Sequence, residues 1–192
     1  MALPLPKLTP ERYLAIERDA EYKSEYYRGE MFAMAGGTPV HHELCAQLSA
    51  LLWGRIRRHG CKIYTSDMRI RTGEDELYTY PDVTVVCGKP ALAPGTRDVL
   101  VNPKLIIEVL SKSTESHDRG FKFQQYKMIP SLEEYVVVSK SEPYIECFSR
   151  RAGAAWTDYA ESRGLDATLE LKSLGIAIPL SEIYQDVEFE PE

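Results

Sequence analysis

The sequence lacks any uninterrupted apolar stretch long enough to span a membrane, and its first residues, MALPLPKLTPERYLAIE, contain no apolar core of a signal peptide. It also lacks internal repeats, low-complexity tracts and a clear linker. These absences argue against membrane-spanning, secreted and repeat proteins, and they predict a cytoplasmic location. With 192 residues, 44% of them hydrophobic and 27% charged, the chain is long enough to bury a core in a single domain, residues 1–192.

Cysteine is scarce and dispersed. The four cysteines, Cys45, Cys61, Cys87 and Cys147, are far apart and form no C-x-x-C pair. Three of them lie in apolar runs typical of strands or helices. We therefore expect reduced, buried thiols rather than disulfides or a zinc site.

An excess of positive charge is also missing. The net charge of −6 argues against a protein that coats nucleic acid. The charge is unevenly distributed, because residues 41–72 carry six basic and two acidic side chains, whereas residues 131–192 carry five basic and thirteen acidic ones. A local basic face that includes Arg55, Arg57 and Arg58 therefore remains open, but charge alone does not establish nucleic-acid binding.

The hydrophobic periodicity alternates between helical and strand patterns. Helices are predicted at 10–18, 41–59 and 118–129, with a short helical turn in a peripheral tail at 180–184. Strands are predicted at 23–27, 30–35, 62–65, 68–71, 79–87, 104–110, 134–139, 144–149 and 155–160. The first two and the last two strands form hairpins. The order between them predicts an α/β fold built on a small mixed sheet.

Two acidic residues stand where buried strands end. Glu108 follows an apolar run, between Ile107 and Val109, and an unpartnered carboxylate there would be costly. Asp82 follows Pro81, which cannot donate to a strand ladder and so marks a strand edge. If the two strands are neighbours, both carboxylates reach one cleft. A helix cap, a turn or half of an ion pair is an equally good interpretation of Asp82 taken alone.

Two converging carboxylates repel each other, and a hard divalent cation bound between them offsets this repulsion. Mg²⁺ binds one or two carboxylates together with substrate phosphate oxygens, and it activates water for phosphodiester cleavage. A lysine would complete such a site. Lys112 lies just past the strand of Glu108, and Lys122 lies in the next predicted helix. A solvated position on the helix surface is the simpler interpretation of Lys122 from these patterns alone.

The ordered blocks YTSDMRIRTG, YTYPDVTVVCG, NPKLIIEVLSKST and DRGFKFQQYKMIPSLEEYVVVS resemble the Uma-two family of restriction endonucleases, within the PD-(D/E)XK phosphodiesterase superfamily. The likeness extends from LTPERYLAIE to LSEIY. It implies a restriction-endonuclease-like αβββαβ core with a mixed sheet flanked by helices, plus an N-terminal hairpin and a C-terminal β-hairpin. Short motifs such as Pro-Asp carry little specificity, whereas the ordered set of blocks carries much more.

The resemblance also implies site residues. Asp82 and Glu108 match the two metal-binding acids, with the carbonyl of Val109 as a third ligand. Leu110 stands where the superfamily has lysine, and in this family the lysine matches Lys122 in the helix. The resemblance therefore implies that Lys122 is a catalytic residue.

Three further positions bear on the resemblance. Glu30 matches a family position and is interpreted as a ligand of a second metal or of a metal-bound water. His41 also matches, as a phosphate contact or a helix cap. Lys112 replaces a proline that is usual in the family, so it is either a phosphate contact or a tolerated surface residue.

The leading hypothesis is a DNA endonuclease that depends on Mg²⁺, with Mn²⁺ as a substitute. Asp82, Glu108 and Lys122 would be catalytic, and Arg55, Arg57, Arg58 and Lys112 would contact phosphates. The alternative is a non-catalytic nucleic-acid-binding or scaffold protein that retains the nuclease fold. RNA remains open as a substrate. The resemblance also predicts a homodimer, because cleavage of a duplex needs two cuts.

Overall fold

A computed structural model describes residues 7–74, 76–110 and 117–189 of the chain. These residues contain four α-helices, together with a 3-10 turn at Arg57–His59 and a π-helix at His117–Lys122. The α-helices are α1 (Pro10–Asp19), α2 (Pro39–Ile56), α3 (Phe123–Tyr126) and α4 (Leu180–Ile183). Within the described ranges, no helix combines the length and the apolar character needed to cross a membrane.

Thirteen strands among the described residues form three sheets. The strands are β1 (Ser24–Tyr27), β2 (Glu30–Ala33), β3 (Cys61–Thr65), β4 (Arg69–Thr72), β5 (Leu77–Thr79), β6 (Val83–Cys87), β7 (Val99–Leu100), β8 (Leu105–Leu110), β9 (Glu134–Ser139), β10 (Tyr144–Ser149), β11 (Asp158–Arg163), β12 (Thr168–Leu171) and β13 (Ile176–Pro179). A six-stranded sheet has the order β11-β10-β9-β8-β6-β3, and a five-stranded sheet has the order β2-β1-β5-β4-β7. The remaining two strands, β12 and β13, pair with each other.

The six-stranded sheet holds the predicted αβββαβ core, as α2-β3-β6-β8-α3-β9 along the chain. The predicted α/β fold with a mixed sheet is therefore confirmed. Strand β8 pairs antiparallel with β6 and parallel with β9, so both of its edges are covered near the centre of the sheet. All six of its residues are also buried, which accounts for its nearly continuous apolar sequence, since a strand buried on both faces does not alternate.

Each face of this sheet carries its own hydrophobic cluster. On one face α2 contributes Leu44, Leu48 and Leu52, whose four-residue spacing forms a single buried stripe. On the other face, Ile106 and Leu110 of β8 pack with residues of α3. Because side chains alternate along a strand, Glu108 belongs to the second face, between Ile106 and Leu110.

The predicted strand at 79–87 is wrong as a single element. The chain leaves the five-stranded sheet after β5 and enters the six-stranded sheet at β6, and Tyr80, Pro81 and Asp82 form the crossing. Pro81 has no N–H for a ladder, which accounts for the break. Asp82 consequently sits at the entrance of β6, where the two sheets meet.

Two further predictions need correction. The alternation of Met68 and Ile70 with Arg69 and Arg71 predicts a half-exposed strand. Arg69 is instead buried, and its Nε donates to the hydroxyl of Tyr80 at 2.8 Å. The tail is not peripheral either. Leu180 and Ile183 of α4 are fully buried in the cluster that packs on α2, and the β12–β13 hairpin was not predicted. Periodicity alone does not reveal pairing between distant segments.

The prediction of four reduced cysteines is wrong for one pair. Cys61 and Cys87 stand directly opposite each other in the β3–β6 register and form a disulfide. They are 26 residues apart in sequence, and only the strand register brings them together. Cys45 and Cys147 are free thiols, in agreement with the prediction.

Candidate active site

Asp82 and Glu108 are tied together through backbone N–H groups. The N–H of Asp82 donates to Oε2 of Glu108 at 3.3 Å, and the N–H of Val109 donates to Oδ2 of Asp82 at 2.8 Å. The last pair of the β6–β8 ladder joins Val83 to Ile107, so both acids lie one residue beyond it. The end of the ladder frees these N–H groups for the carboxylates, and the two acids meet in one cleft.

Glu108 is 3% exposed, so its carboxylate has little contact with water. Burial raises the pKa of Glu108 to about 8, with Asp82 and Asp118 acting in the same direction and Lys122 opposing them. The hydroxyl of Tyr126 donates to Oε1 of Glu108 at 2.6 Å. The acid inside the apolar strand is thus held by a hydroxyl, a backbone N–H and a cation.

Lys122 lies at the end of the π-helix, and its ammonium is within reach of three carboxylates. Nζ is 3.1 Å from Oε1 of Glu25, 3.2 Å from Oδ1 of Asp118 and 3.3 Å from Oε1 of Glu108. Burial disfavours the charged form, but Glu108, Glu25 and Asp118 together raise the pKa of Lys122 well above its usual value. Lys122 is therefore a buried cation rather than a solvated residue on a helix surface.

His41 reaches the same cleft from the first turn of α2. Its Nε2 is 3.1 Å from Oδ2 of Asp82, the oxygen that also accepts the N–H of Val109. The predicted accessory position of His41 thus lies beside the predicted metal ligand Asp82. Oδ2 of Asp82 is therefore in contact with both α2 and β8.

A cavity of about 790 Å³ opens over these groups. Its lining includes four acids and two lysines, namely Glu25, Asp82, Glu108, Asp118, Lys122 and Lys140. When all six are ionised they carry two more negative than positive charges, which is the charge that one divalent cation neutralises. The aromatic rings of Tyr27, Phe32 and Phe121 also line the cavity.

The donor set fits a hard divalent cation. Asp82 and Glu108 supply carboxylate oxygens, which such ions prefer. Val109 lines the cavity, and in a strand the carbonyl of a residue points to the same side as its N–H, which here is the side of Asp82. These three oxygens are the ligands that the family resemblance implies, and they are of the type that hard divalent cations prefer.

Other predicted residues lie outside this cluster. Glu30 is exposed at the start of β2 and is not among the cavity-lining residues. Arg55 lies fourteen residues after His41 on α2, about 21 Å along the helix axis, and its Nη2 donates to Oε2 of Glu182 at 2.6 Å. Arg58 is exposed beyond the end of α2, also far from the cleft. Lys112 falls outside the described residues.

The structure adds residues that the sequence did not single out. Glu25 of β1 pairs with Lys122, and Tyr126 holds Glu108. Asp118 has one signal in the sequence, since it lies four residues before Lys122, a spacing that places both on one helical face. Glu25 has no such signal, because its contact crosses from one sheet to another element. Lys140 is partly buried at the cavity and donates to Oγ1 of Thr38 at 3.3 Å.

Comparison with known proteins agrees with this architecture. A crystal structure of a "putative nuclease belonging to DUF820" from Anabaena variabilis superposes with a TM-score of 0.74 at 14% identity, covering 92% of this chain and 97% of that one. This likeness establishes the shared fold. Two Synechocystis proteins are similar in sequence: slr1290 is 36% identical over 97% of this chain and 96% of its own length, and sll1609 is 35% identical over 88% and 95%.

The sequence also matches a family described as "Putative restriction endonuclease" over residues 10–181. The match includes both Asp82 and the helical segment of Lys122. The chain therefore belongs to the Uma2 family and has its nuclease-like α/β fold.

Proposed function

We propose that this protein is a metal-dependent endonuclease that hydrolyses phosphodiester bonds in DNA. The observation that carries the proposal is the junction of Asp82 and Glu108 at the mouth of paired strands, with Lys122 3.3 Å from Glu108. Family membership supports nuclease chemistry, and the meeting of two carboxylates in one cleft supports a divalent cation. Mg²⁺ is the proposed ion and Mn²⁺ its substitute.

Asp82, Glu108 and the carbonyl of Val109 would hold the ion. When bound there, it would neutralise charge on the scissile phosphate and lower the pKa of an attacking water. The hydroxyl of Tyr126 and the N–H of Asp82 hold the Glu108 carboxylate in place. The imidazole of His41 does the same for Asp82. These contacts preorganise the oxygens, so little rearrangement accompanies binding.

Lys122 stabilises negative charge that develops on the phosphate during cleavage. Its ammonium is buried, is held between three carboxylates and keeps its proton over the whole physiological pH range, because its pKa is raised. In a site shielded from water, a fixed cation acts more strongly than in solvent. Lys122 also offsets the cost of ionising Glu108.

DNA is the proposed substrate, and its cleaved strand would lie over the cavity near Lys140. The ammonium of Lys140 and the rings of Tyr27 and Phe32 offer a phosphate contact and stacking surfaces at the cavity. RNA cleavage is the competing outcome of the same chemistry. The homodimer, the cytoplasmic location and the single domain stay predictions, as do phosphate contacts by Arg55, Arg58 and Lys112.

The test is cleavage of supercoiled plasmid in Mg²⁺ or Mn²⁺, with single-stranded RNA assayed in parallel. Asp82→Ala removes a proposed ligand, and Asp158→Ala removes an exposed acid on the edge strand β11 as a matched control. We expect nicking by the native protein and by Asp158→Ala, and none by Asp82→Ala. Cleavage of RNA alone would contradict the proposed substrate. No cleavage in any divalent ion would favour a binding or scaffold role.

A further inference from the structure

One cluster at the cleft contains ligands that the proposed mechanism does not use together. His41 and Cys45 are four residues apart on α2, so they share one helical face. Cys45 Sγ is 3.8 Å from Nδ1 and 4.0 Å from Nε2 of His41. Nε2 of His41 is 3.1 Å from Oδ2 of Asp82. Ligand atoms from all three residues lie within 4.8 Å of one another.

These separations are close to those of a tetrahedral metal site. With bonds of about 2.0 Å to nitrogen and oxygen and about 2.3 Å to sulfur, neighbouring ligand atoms lie about 3.3 to 3.5 Å apart. The 3.1 Å between Nε2 of His41 and Oδ2 of Asp82 is slightly shorter than this range. The 4.0 Å between Nε2 of His41 and Sγ of Cys45 is slightly longer. Sγ of Cys45 and the carboxylate oxygen of Asp82 lie within 4.8 Å of each other, so the three atoms would move closer together on binding one ion. His41 and Asp82 both line the cavity, so a water could supply the fourth ligand there.

The ligand types differ from those of the proposed magnesium site. Asp82, Glu108 and the carbonyl of Val109 are all oxygen donors, which suit hard cations. A thiolate and an imidazole instead favour Zn²⁺ and related ions of the first transition row. The sequence did not predict this cluster, because a single cysteine with one histidine lacks the C-x-x-C spacing of structural zinc sites.

We propose that His41, Cys45 and Asp82 form a binding site for Zn²⁺. Because Asp82 belongs to both ligand sets, Zn²⁺ and Mg²⁺ compete for one carboxylate, and Zn²⁺ inhibits the nuclease. The inhibition rests on the proposed function, whereas Zn²⁺ binding does not.

The free protein holds Cys45 as a thiol. Burial and the negative charges of Asp82 and Glu108 raise the pKa of Cys45 well above its usual value. Binding of Zn²⁺ therefore breaks the S–H bond, forms the Zn–S bond and releases one proton to solvent. The carboxylates of Asp82 and Glu108 disfavour a lone thiolate, but they attract a dication. The bound ion therefore offsets the electrostatic cost of ionising Cys45.

Binding is measured first, without any nuclease assay. The protein is titrated with Co²⁺, as a spectroscopic substitute that gives a thiolate-to-metal charge-transfer band, and with Zn²⁺ by calorimetry. The buffer is oxygen-free and contains no reductant, so that Cys61 and Cys87 stay paired and add no thiol. The variants are Cys45→Ser and the matched control Cys147→Ser, which changes the other free cysteine.

We expect one equivalent of Zn²⁺ and a charge-transfer band in the native protein and in Cys147→Ser. Cys45→Ser should lose the band and bind Zn²⁺ at least about tenfold more weakly, a loss that even outer-shell changes can produce at metal sites. His41→Ala should weaken Zn²⁺ binding to a similar extent. Absence of the band in the native protein, or equal Zn²⁺ affinity in Cys45→Ser, overturns the proposal.

Competition is measured second, as inhibition by Zn²⁺ of plasmid nicking in Mg²⁺, with each variant normalised to its own rate. We expect Cys45→Ser to need at least about tenfold more Zn²⁺ for half-inhibition than Cys147→Ser, in line with its weaker binding. Equal half-inhibition overturns the competition. If the native protein nicks no DNA, the proposed function fails, and the binding result alone decides whether the Zn²⁺ site exists.

Discussion

The backbone N–H of Asp82 donates to Oε2 of Glu108, across the point where the β6–β8 ladder ends. Both acids lie one residue past the last paired residues, Val83 and Ile107, so strand pairing itself sets their separation. Glu108 lies within β8, and Asp82 lies directly before β6. A variant that leaves the sheet intact should therefore leave the geometry of the two carboxylates intact.

Replacement of Lys122 by methionine should reduce nicking by about 100-fold or more, the scale of losing one preorganised electrostatic contact. It should also lower the free energy of unfolding by roughly 3–5 kcal/mol, because Glu25, Glu108 and Asp118 lose their shared cation. Urea denaturation and plasmid nicking measure the two effects.

Lys127→Met is the matched control for Lys122→Met. Lys127 follows α3 directly, and its ammonium lies 4.2 Å from the ring centre of Phe123, away from the carboxylates. We expect near-native nicking from this variant. A similar loss of activity in both variants would mean that charge on this segment matters generally and that Lys122 has no specific role.

Replacement of Glu108 by glutamine should separate activity from stability. At pH 8 the native acid is partly ionised, and burial makes its charged form unfavourable, as its raised pKa shows. Glutamine carries no charge and keeps nearly the same shape. We expect nicking to disappear in this variant. Without metal, the variant should unfold at the same or a higher urea concentration than the native protein. Marked destabilisation would contradict this account.

Lys140 should contribute one phosphate contact at the cavity. Lys140→Gln is expected to weaken DNA binding and to reduce the slope of log affinity against log salt by about one. Arg58→Gln and Lys62→Gln remove exposed charges at the far end of α2 and on β3, and smaller effects are expected there. Fluorescence anisotropy in Ca²⁺ measures binding without cleavage. A larger effect at Arg58 would restore the contact predicted from the sequence.

Glu134 provides a pH-dependent prediction outside the site. Burial raises the pKa of this acid, which accepts a hydrogen bond from Oγ of Ser173. An acid whose pKa is raised by folding stabilises the protein at low pH, and that contribution is lost as pH rises through the folded pKa. Glu134→Gln should therefore gain stability relative to the native protein as the pH rises above 4.5, the ordinary pKa of a glutamate. A stability difference that stays constant as the pH rises from below 4.5 to neutral would contradict the assigned shift.

The sequence was sufficient to predict the two acids because their signals are local. Glu108 interrupts an apolar strand and Asp82 follows a proline at a strand entrance, so each stands out without knowledge of its neighbours. The αβββαβ order was also predictable, because the core strands and α2 have clear periodicity. The position of Lys122 in the next helix made it a candidate, but its catalytic role came only from the resemblance, since nothing in its own segment indicates burial.

Contacts that depend on how sheets meet were not predictable. Glu25 reaches Lys122 from the five-stranded sheet. Cys61 forms a disulfide with Cys87, which lies 26 residues further along the chain and becomes its neighbour only when β3 pairs with β6. Pro81 itself explains why the strand breaks, but nothing in the neighbouring sequence shows that the chain then passes from one sheet to the other. The burial of α4 depends likewise on its packing against α2, which no short sequence pattern specifies.

The most direct test of the shared cation site is a crystal structure of the native protein soaked in Mn²⁺, with an anomalous difference map. The account predicts one peak about 2.1 Å from a carboxylate oxygen of Asp82, from one of Glu108 and from the carbonyl of Val109. Well-ordered crystals with no peak at this junction would contradict it. So would a peak bound by Asp82 while Glu108 contacts only Lys122 and Tyr126.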